Sequence, residues 1–325
     1  MNQHSLLFRL NIAVVVALFS LVFCACGDES GSLSPSVDPK PGIYRIDSIR
    51  LNTDIYRQHS DAPLKILAIG NSFTENASTY IPWLTDRIVS DSVCFARLTR
   101  SGCSLSQHWT SHVTGSPDYN LNYTVGDKWQ LSEIKTIDGA LDILDWDIIV
   151  IQQASGESGR YVTYQPYLDN LLLLFRETNP SARLVWHCTW PYRDGTTHPY
   201  FKDYGNDPLT MYRGILDACG RIADSFDIVI PSATLIWEMR KAYPEVENQF
   251  SADGYHISDP LALFALSSLW YEYLIAPATG TSCILAGAYP PGVDPDAFAR
   301  ALDIIRSLLP SGDPGDPDSV PMLPA

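Results

Sequence analysis

Five short apolar runs constrain what this chain can become: "KILAI" (65–69), "VCFARLT" (93–99), "DIIVIQ" (147–152), "ARLVWHCTW" (182–190) and "DIVI" (227–230). Each is strand length and rich in β-branched or aromatic residues. Between and after them lie stretches with helical spacing. Ile81, Leu84 and Ile88 recur through "YIPWLTDRIV", and "TIDGALDIL" leads into the third run. "YQPYLDNLLLLFRETNP" stops at Asn179-Pro180, and "LTMYRGILDACGRIADSF" precedes the last run. "DPLALFALSSLWYEYLI" closes the series, with Asp259 as its expected N-cap and Pro260 at its first position. Strand–helix alternation of this kind predicts a three-layer α/β fold, a mostly parallel sheet with helices on both faces. In such a sheet ligands bind beyond the carboxyl ends of the strands.

The two ends of the chain have a different character. Arg9 is the only charge before the apolar run "LNIAVVVALFSLVFCAC", the pattern of a secretory signal. Ala25-Cys26 followed by "GDES" resembles the lipobox of bacterial lipoproteins, with Cys26 as the acylated residue. The acidic start after it also resembles surface-export signals of the Bacteroides group. The expected organisation is a lipoprotein signal over 1–25, a flexible tether over 26–61, a folded domain over 62–308 and a disordered tail over 309–325. The predicted location is therefore outside the cytoplasm, lipid-anchored in a bacterial, outer, membrane and facing periplasm or cell surface. A net charge of −15 argues against nucleic acid and anionic lipid as partners, leaving the lipid as the sole membrane contact. Outside the signal region no C-x-x-C occurs, which removes the sequence basis for a zinc ribbon or redox motif. Cys94 and Cys103 are candidates for a disulfide in an exported protein.

The polar residues of interest follow the predicted strands. Gly70-Asn71-Ser72 ends the first, Ser101-Gly102-Cys103 the second, Gln152-Gln153-Ala154-Ser155 the third, and His187 and Trp190 lie in the fourth. The loop "SADGYHIS" precedes the closing helix. A serine hydroxyl needs an adjacent base and a site for the developing oxyanion before it becomes a useful nucleophile. Ser72 at a strand-to-helix turn, with Asp253 and His256 in one tight loop, supplies the types a nucleophile–base–carboxylate triad requires.

The blocks "AIGNSFTENA", "GCSLSQHW", "IVIQQASGESG" and "DGYHIS", in that order, resemble the four-block pattern of SGNH (GDSL-like) hydrolases, and more closely the DUF4886 branch of that superfamily. The resemblance implies a flavodoxin-like sheet and an ester hydrolase working without metal or organic cofactor. By it Ser72 is the nucleophile, His256 the base and Asp253 its partner, with the amides of Ser72 and Gly102 in the oxyanion hole. The superfamily's Asn donor has no counterpart at 152–155. Of the two glutamines, which should point to opposite sides of a strand, Gln153 is the preferred substitute.

Trp83, Trp109, Trp186 and Trp190 cluster around these blocks, and Trp109, Trp190 and His187 are the expected substrate contacts. The predicted substrate is an acylated small molecule or glycan, most specifically an O-acetylated carbohydrate. Two alternatives stand beside hydrolysis: a glycan-binding lipoprotein with little or no turnover, and an acyltransferase using the same serine. His108 and His112 have the i, i+4 spacing of helical metal ligands, yet no carboxylate pattern accompanies them, and no metal site is expected. The sequence carries no sign of oligomeric state.

Overall fold

The computed structural model describes residues 64–310. The signal region, Cys26, the whole tether and residues 311–325 lie outside them. β1 (Leu64–Gly70) and β2 (Val93–Thr99) fall on the first two apolar runs, β5 (Ile148–Ile151) and β6 (Arg183–His187) on the next two, and β7 (Ile228–Ile230) on the last. β1 and β5–β7 are buried along nearly their whole length, as parallel strands covered on both faces must be. β3 (Asn120–Val125) and β4 (Lys128–Leu131) form an antiparallel hairpin at the edge of the sheet.

The sheet runs β4-β3-β2-β1-β5-β6-β7, with β2, β1, β5, β6 and β7 parallel. Chain order departs from β1 in opposite directions toward β2 and toward β5. The β1/β5 boundary is thus the topological switch point, where the rims of two neighbouring strands diverge and leave a crevice. Ile69 of β1 pairs with Ile151 of β5, so Gly70-Asn71-Ser72 and Gln152–Ser155 leave the sheet side by side.

Helices α1 (Ser72–Ala77) and α2 (Ile81–Ile88) connect β1 to β2. α3 (Leu105–Thr114), the hairpin and α4 (Ile137–Asp142) lead to β5; α5 (Tyr167–Thr178) leads to β6 and α6 (Pro208–Ile222) to β7. α7 (Ser232–Ala242), α8 (Pro260–Leu274), the short α9 (Ala276–Thr279) and α10 (Cys283–Ala286), and α11 (Pro295–Leu308) complete the described chain. α1, α2, α7 and α11 pack around α8, while α3, α4 and α5 pack together as the second helical layer. α8 is apolar all round and almost wholly buried, consistent with its central place. Its cap is the expected one: the Asp259 carboxylate accepts from the amides of Leu261 and Ala262.

The hairpin, α7 and α11 are absent from the sequence expectation. β3 and β4 carry exposed and half-exposed residues and show no continuous apolar run. Cys94 and Cys103 do not pair. Both are free thiols, Cys103 buried against the Tyr119 hydroxyl and Cys94 on β2. Among the described residues no helix is long and apolar enough to cross a membrane.

Candidate active site

Asn71 shapes the turn that carries Ser72. Its side-chain oxygen caps α1 by accepting from Phe73 N (3.0 Å), and its amide nitrogen donates to the Cys103 carbonyl (3.1 Å). The same oxygen accepts from Gln152 Nε2 at 2.8 Å. Gln152 Oε1 accepts from Thr74 Oγ1 (2.8 Å) and from His187 Nδ1 (2.7 Å). All four of these side chains are buried, so their polar groups have to be satisfied within the protein. Gly70 is needed for this approach: a Cβ there would lie 2.1 Å from Thr74 Oγ1 and 3.1 Å from the Gln152 side chain. The network fixes Ser72 as the first residue of α1, where an amide has no intrahelical acceptor.

Ser72 Oγ lies 2.7 Å from His256 Nε2, and His256 Nδ1 lies 2.8 Å from Asp253 Oδ2. A carboxylate can only accept, so Nδ1 carries a proton and Nε2 is free to accept from the serine. Asp253 Oδ1 accepts from the amides of Tyr255 (3.0 Å) and His256 (2.9 Å). Partial burial pushes the Asp253 carboxyl upward, but these amides and the His256 ring outweigh it and hold it below the usual carboxylate range. The loop is tight because Gly254 adopts φ +92° and its Cα side presses on Thr196, where a Cβ would come within 2.5 Å.

Several residues that no sequence motif singled out hold this loop in place. Arg193 donates from Nε to Ser251 O (2.9 Å) and from Nη2 to Ala252 O (3.3 Å), while its backbone N–H reaches Gly254 O (2.8 Å). Thr196 Oγ1 donates to Asp253 O (3.1 Å), and Ile257 N donates to Asn76 Oδ1 at the end of α1 (3.1 Å). Arg240, almost fully buried, donates to Pro191 O at 2.8 Å and supports the Arg193 segment from below. An arginine in the loop six residues past the end of β6 gives no motif to read. Its role is visible only once the two loops meet.

The expected accessory residues divide. Gly102 sits in the turn after β2 at φ +62° and is exposed on the rim. Gln153 does not fit the oxyanion role. It is fully buried, its amide nitrogen donates to Thr163 O (3.4 Å) and Thr163 Oγ1 (3.0 Å), and its oxygen accepts from Leu105 N and Ala154 N. Both of its N–H bonds are thereby committed away from Ser72. Trp190 and His187 are likewise fully buried and cannot line an open pocket. Trp190 stacks on Phe73 (4.3 Å) and donates to Tyr255 O (2.8 Å), which makes it a prop beneath the triad. Trp109 is half-buried on α3 with its ring 5.1 Å from that of His112, and alone of the three keeps exposed surface. His108 and His112 face different partners, Tyr119 and Asp138. Among the described residues no cluster of three or more His, Cys, Asp or Glu could hold a metal ion.

Residues 65–282 match the model of a domain of unknown function, DUF4886. The chain belongs to the DUF4886 family. A crystal structure of a DUF4886 family protein from Bacteroides uniformis ATCC 8492 is 28% identical and superposes with a TM-score of 0.67, covering 75% of this chain and 94% of that one. A protein from Slackia heliotrinireducens provisionally assigned to the SGNH hydrolases is 21% identical, TM-score 0.43, with 65% and 98% covered. An acetylxylan esterase from Geobacillus stearothermophilus, in a catalytic mutant form, is 12% identical, TM-score 0.41, with 65% and 93% covered. No curated protein matches.

Proposed function

We propose that this DUF4886 member is a serine esterase of the SGNH type, acting through an acyl-enzyme on Ser72. The observation that carries the reading is the unbroken line Asp253 Oδ2–His256 Nδ1, His256 Nε2–Ser72 Oγ, at 2.8 and 2.7 Å. It stands at the sheet's switch point, where a substrate has room to approach.

In this reaction Ser72 Oγ attacks the ester carbonyl as His256 Nε2 takes its proton, and Asp253 stabilises the imidazolium. The amides of Ser72 and Gly102 receive the oxyanion. As the tetrahedral intermediate collapses, His256 returns the proton to the leaving alkoxide, which departs as the alcohol. Water, deprotonated by the same nitrogen, then attacks the acyl-serine; the acyl–Oγ bond breaks, the acid leaves and His256 returns the proton to Ser72 Oγ. No step calls for a metal or organic cofactor.

The proposed substrate is an O-acetyl ester on a carbohydrate, encountered outside the cytoplasm by an enzyme tethered through Cys26. The lipobox-like "AC" at 25–26 supports the tethered setting, and the acetylxylan esterase from Geobacillus is a neighbour in structure. Labelling with a lipid precursor, lost in Cys26→Ala, checks the anchor.

The decisive experiment treats the protein and its Ser72→Ala variant with a fluorophosphonate probe and p-nitrophenyl acetate. Labelling and turnover should both depend on Ser72, with kcat falling on the order of 10⁵–10⁶-fold in the variant. A wild-type protein that neither labels nor turns over would sink the proposal. A second reading, a glycan binder with slow turnover, draws on Gln153: with its amide committed to Thr163, two backbone donors remain where the superfamily uses three.

A further inference from the structure

From the triad histidine runs a series of rings that the catalytic reading does not use. Tyr255 directly precedes His256, and its ring centroid is 4.3 Å from the imidazole. His198 meets Tyr255 edge-on at 4.7 Å, and Tyr200 follows His198 at 5.8 Å. Tyr200 is 43% exposed, and its side chain makes no hydrogen bond among the described residues. The base of its ring rests on Gly156, where a Cβ would come within 2.6 Å of the ring. Trp190, expected in this role, lies underneath, and Trp109 sits on α3 beside His112, so the rings beside His256 with exposed surface are tyrosines and a histidine.

A polar line runs behind these rings, and its directions can be assigned. His198 Nδ1 accepts from Tyr200 N (3.4 Å), so its proton sits on Nε2, 3.4 Å from the Tyr192 hydroxyl. Burial and the nearby His256 keep His198 below its ordinary pKa, which favours this neutral form. The buried Tyr192 hydroxyl accepts that proton and has its own to give to Ser155 Oγ, 2.9 Å away. Ser155 is half-buried on the loop after β5, beside the loop that carries Ser72. With Oγ accepting from Tyr192, Ser155 keeps its own hydroxyl hydrogen to donate elsewhere. A ring-faced surface with one such donor suits a neutral, oxygen-rich, six-membered ring. The guanidinium of Arg193, on the same segment, is already spent on the carbonyls of Ser251, Ala252 and Asp194, and the chain's charge of −15 disfavours an anionic ligand.

We propose that Tyr200, His198 and Tyr255, with the Ser155 hydroxyl as donor, form the subsite that holds the pyranose ring bearing the ester. This rests on the esterase reading above and extends it to the side of the site that selects the alcohol.

The test compares penta-O-acetyl-glucose, a pyranose with every hydroxyl esterified, against p-nitrophenyl acetate, in the wild type, Tyr200→Ala and Tyr200→Phe. Tyr200→Ala should lower kcat/KM for the sugar ester about tenfold, chiefly through KM, the size of one lost aromatic contact. Its rate on p-nitrophenyl acetate should stay within about twofold of wild type, and Tyr200→Phe should behave as wild type on both esters. If Tyr200→Ala lowers both substrates equally, or neither, the subsite is overturned while the esterase reading stands. If the wild type hydrolyses neither ester, the esterase reading falls. Titration of Ser72→Ala with the same acetylated sugar then decides the subsite alone. Saturable binding weakened about tenfold by adding Tyr200→Ala upholds it, and absence of such binding overturns it.

Discussion

The loop 251–257 and the strand end 152–153 both carry polar residues at the carboxyl rim of the sheet, but they treat those residues in opposite ways. Asp253 and His256 are partly open, with side chains 42% and 35% exposed, the carboxylate held by the amides of Tyr255 and His256 and the ring by Asp253 and Ser72. Gln152 and Gln153 are fully buried, and every hydrogen-bonding atom on their side chains has a partner within the protein. A buried amide with an unmet donor costs free energy, so the depth that makes the glutamines conspicuous also commits them to structure. Residues that must exchange bonds with a substrate have to keep an atom free, and that keeps them near the surface.

Four measurements probe this contrast. Asp253→Asn should be the most damaging to turnover, lowering kcat about 10⁴-fold on p-nitrophenyl acetate with little change in melting temperature, because the amide favours the wrong imidazole tautomer. A variant with near wild-type kcat would show that the carboxylate is not the orienting group. Gln152→Ala should do the reverse. It strands Thr74 Oγ1 and His187 Nδ1 and removes one of the two bonds to Asn71 Oδ1, and chemical denaturation should report a loss of about 2–5 kcal/mol. A loss below ~1 kcal/mol would mean that the network is dispensable.

The third measurement is stability against pH. Burial drives both His108 and His187 down to about 3. Between that value and the unfolded pKa near 6.5, the unfolded chain binds these protons and the folded protein does not. Stability is therefore full above pH 6.5 and falls on acidification, each histidine removing up to about 1.4 kcal/mol per pH unit. Urea midpoints between pH 7 and 4.5 should show the slope, and His187→Gln should reduce it. An unchanged slope in that variant would contradict a buried neutral histidine at 187. Gln153→Leu has the smallest effect on catalysis. It should cost about 1–3 kcal/mol of stability and change kcat by less than about threefold, whereas removal of an oxyanion donor would lower kcat about 10²–10³-fold.

The sequence exposed the parts of this protein that depend on repetition or on unusual residue types. β1, β2, β5, β6 and β7 were legible because buried parallel strands must be almost wholly apolar. The triad candidates were legible because Ser, Asp and His stood in short polar blocks at strand ends and in a late loop. The β3–β4 hairpin was not, because half-exposed strands at a sheet edge leave only a weak alternation. Arg193 and Thr196 escaped notice since their partners are main-chain carbonyls, which carry no residue identity. Gln153 misled for a related reason: composition can place an amide at a strand end, but only packing decides which way its two hydrogens point.

The Asn71–Gln152–Thr74–His187 network has a consequence for how such a protein can change. It fastens the turn bearing Ser72 to β5 and β6, and it includes none of the residues on the 191–200 segment that lie beside the triad's outer side. Ser72, the proposed nucleophile, is referenced to the middle of the sheet, while the proposed sugar-facing surface is a separate attachment. On the esterase proposal, exchange of the segment from Thr197 to Tyr204 between relatives should change the alcohol that is accepted without resetting the chemistry at Ser72. In that sense the fold separates what it does from what it does it to.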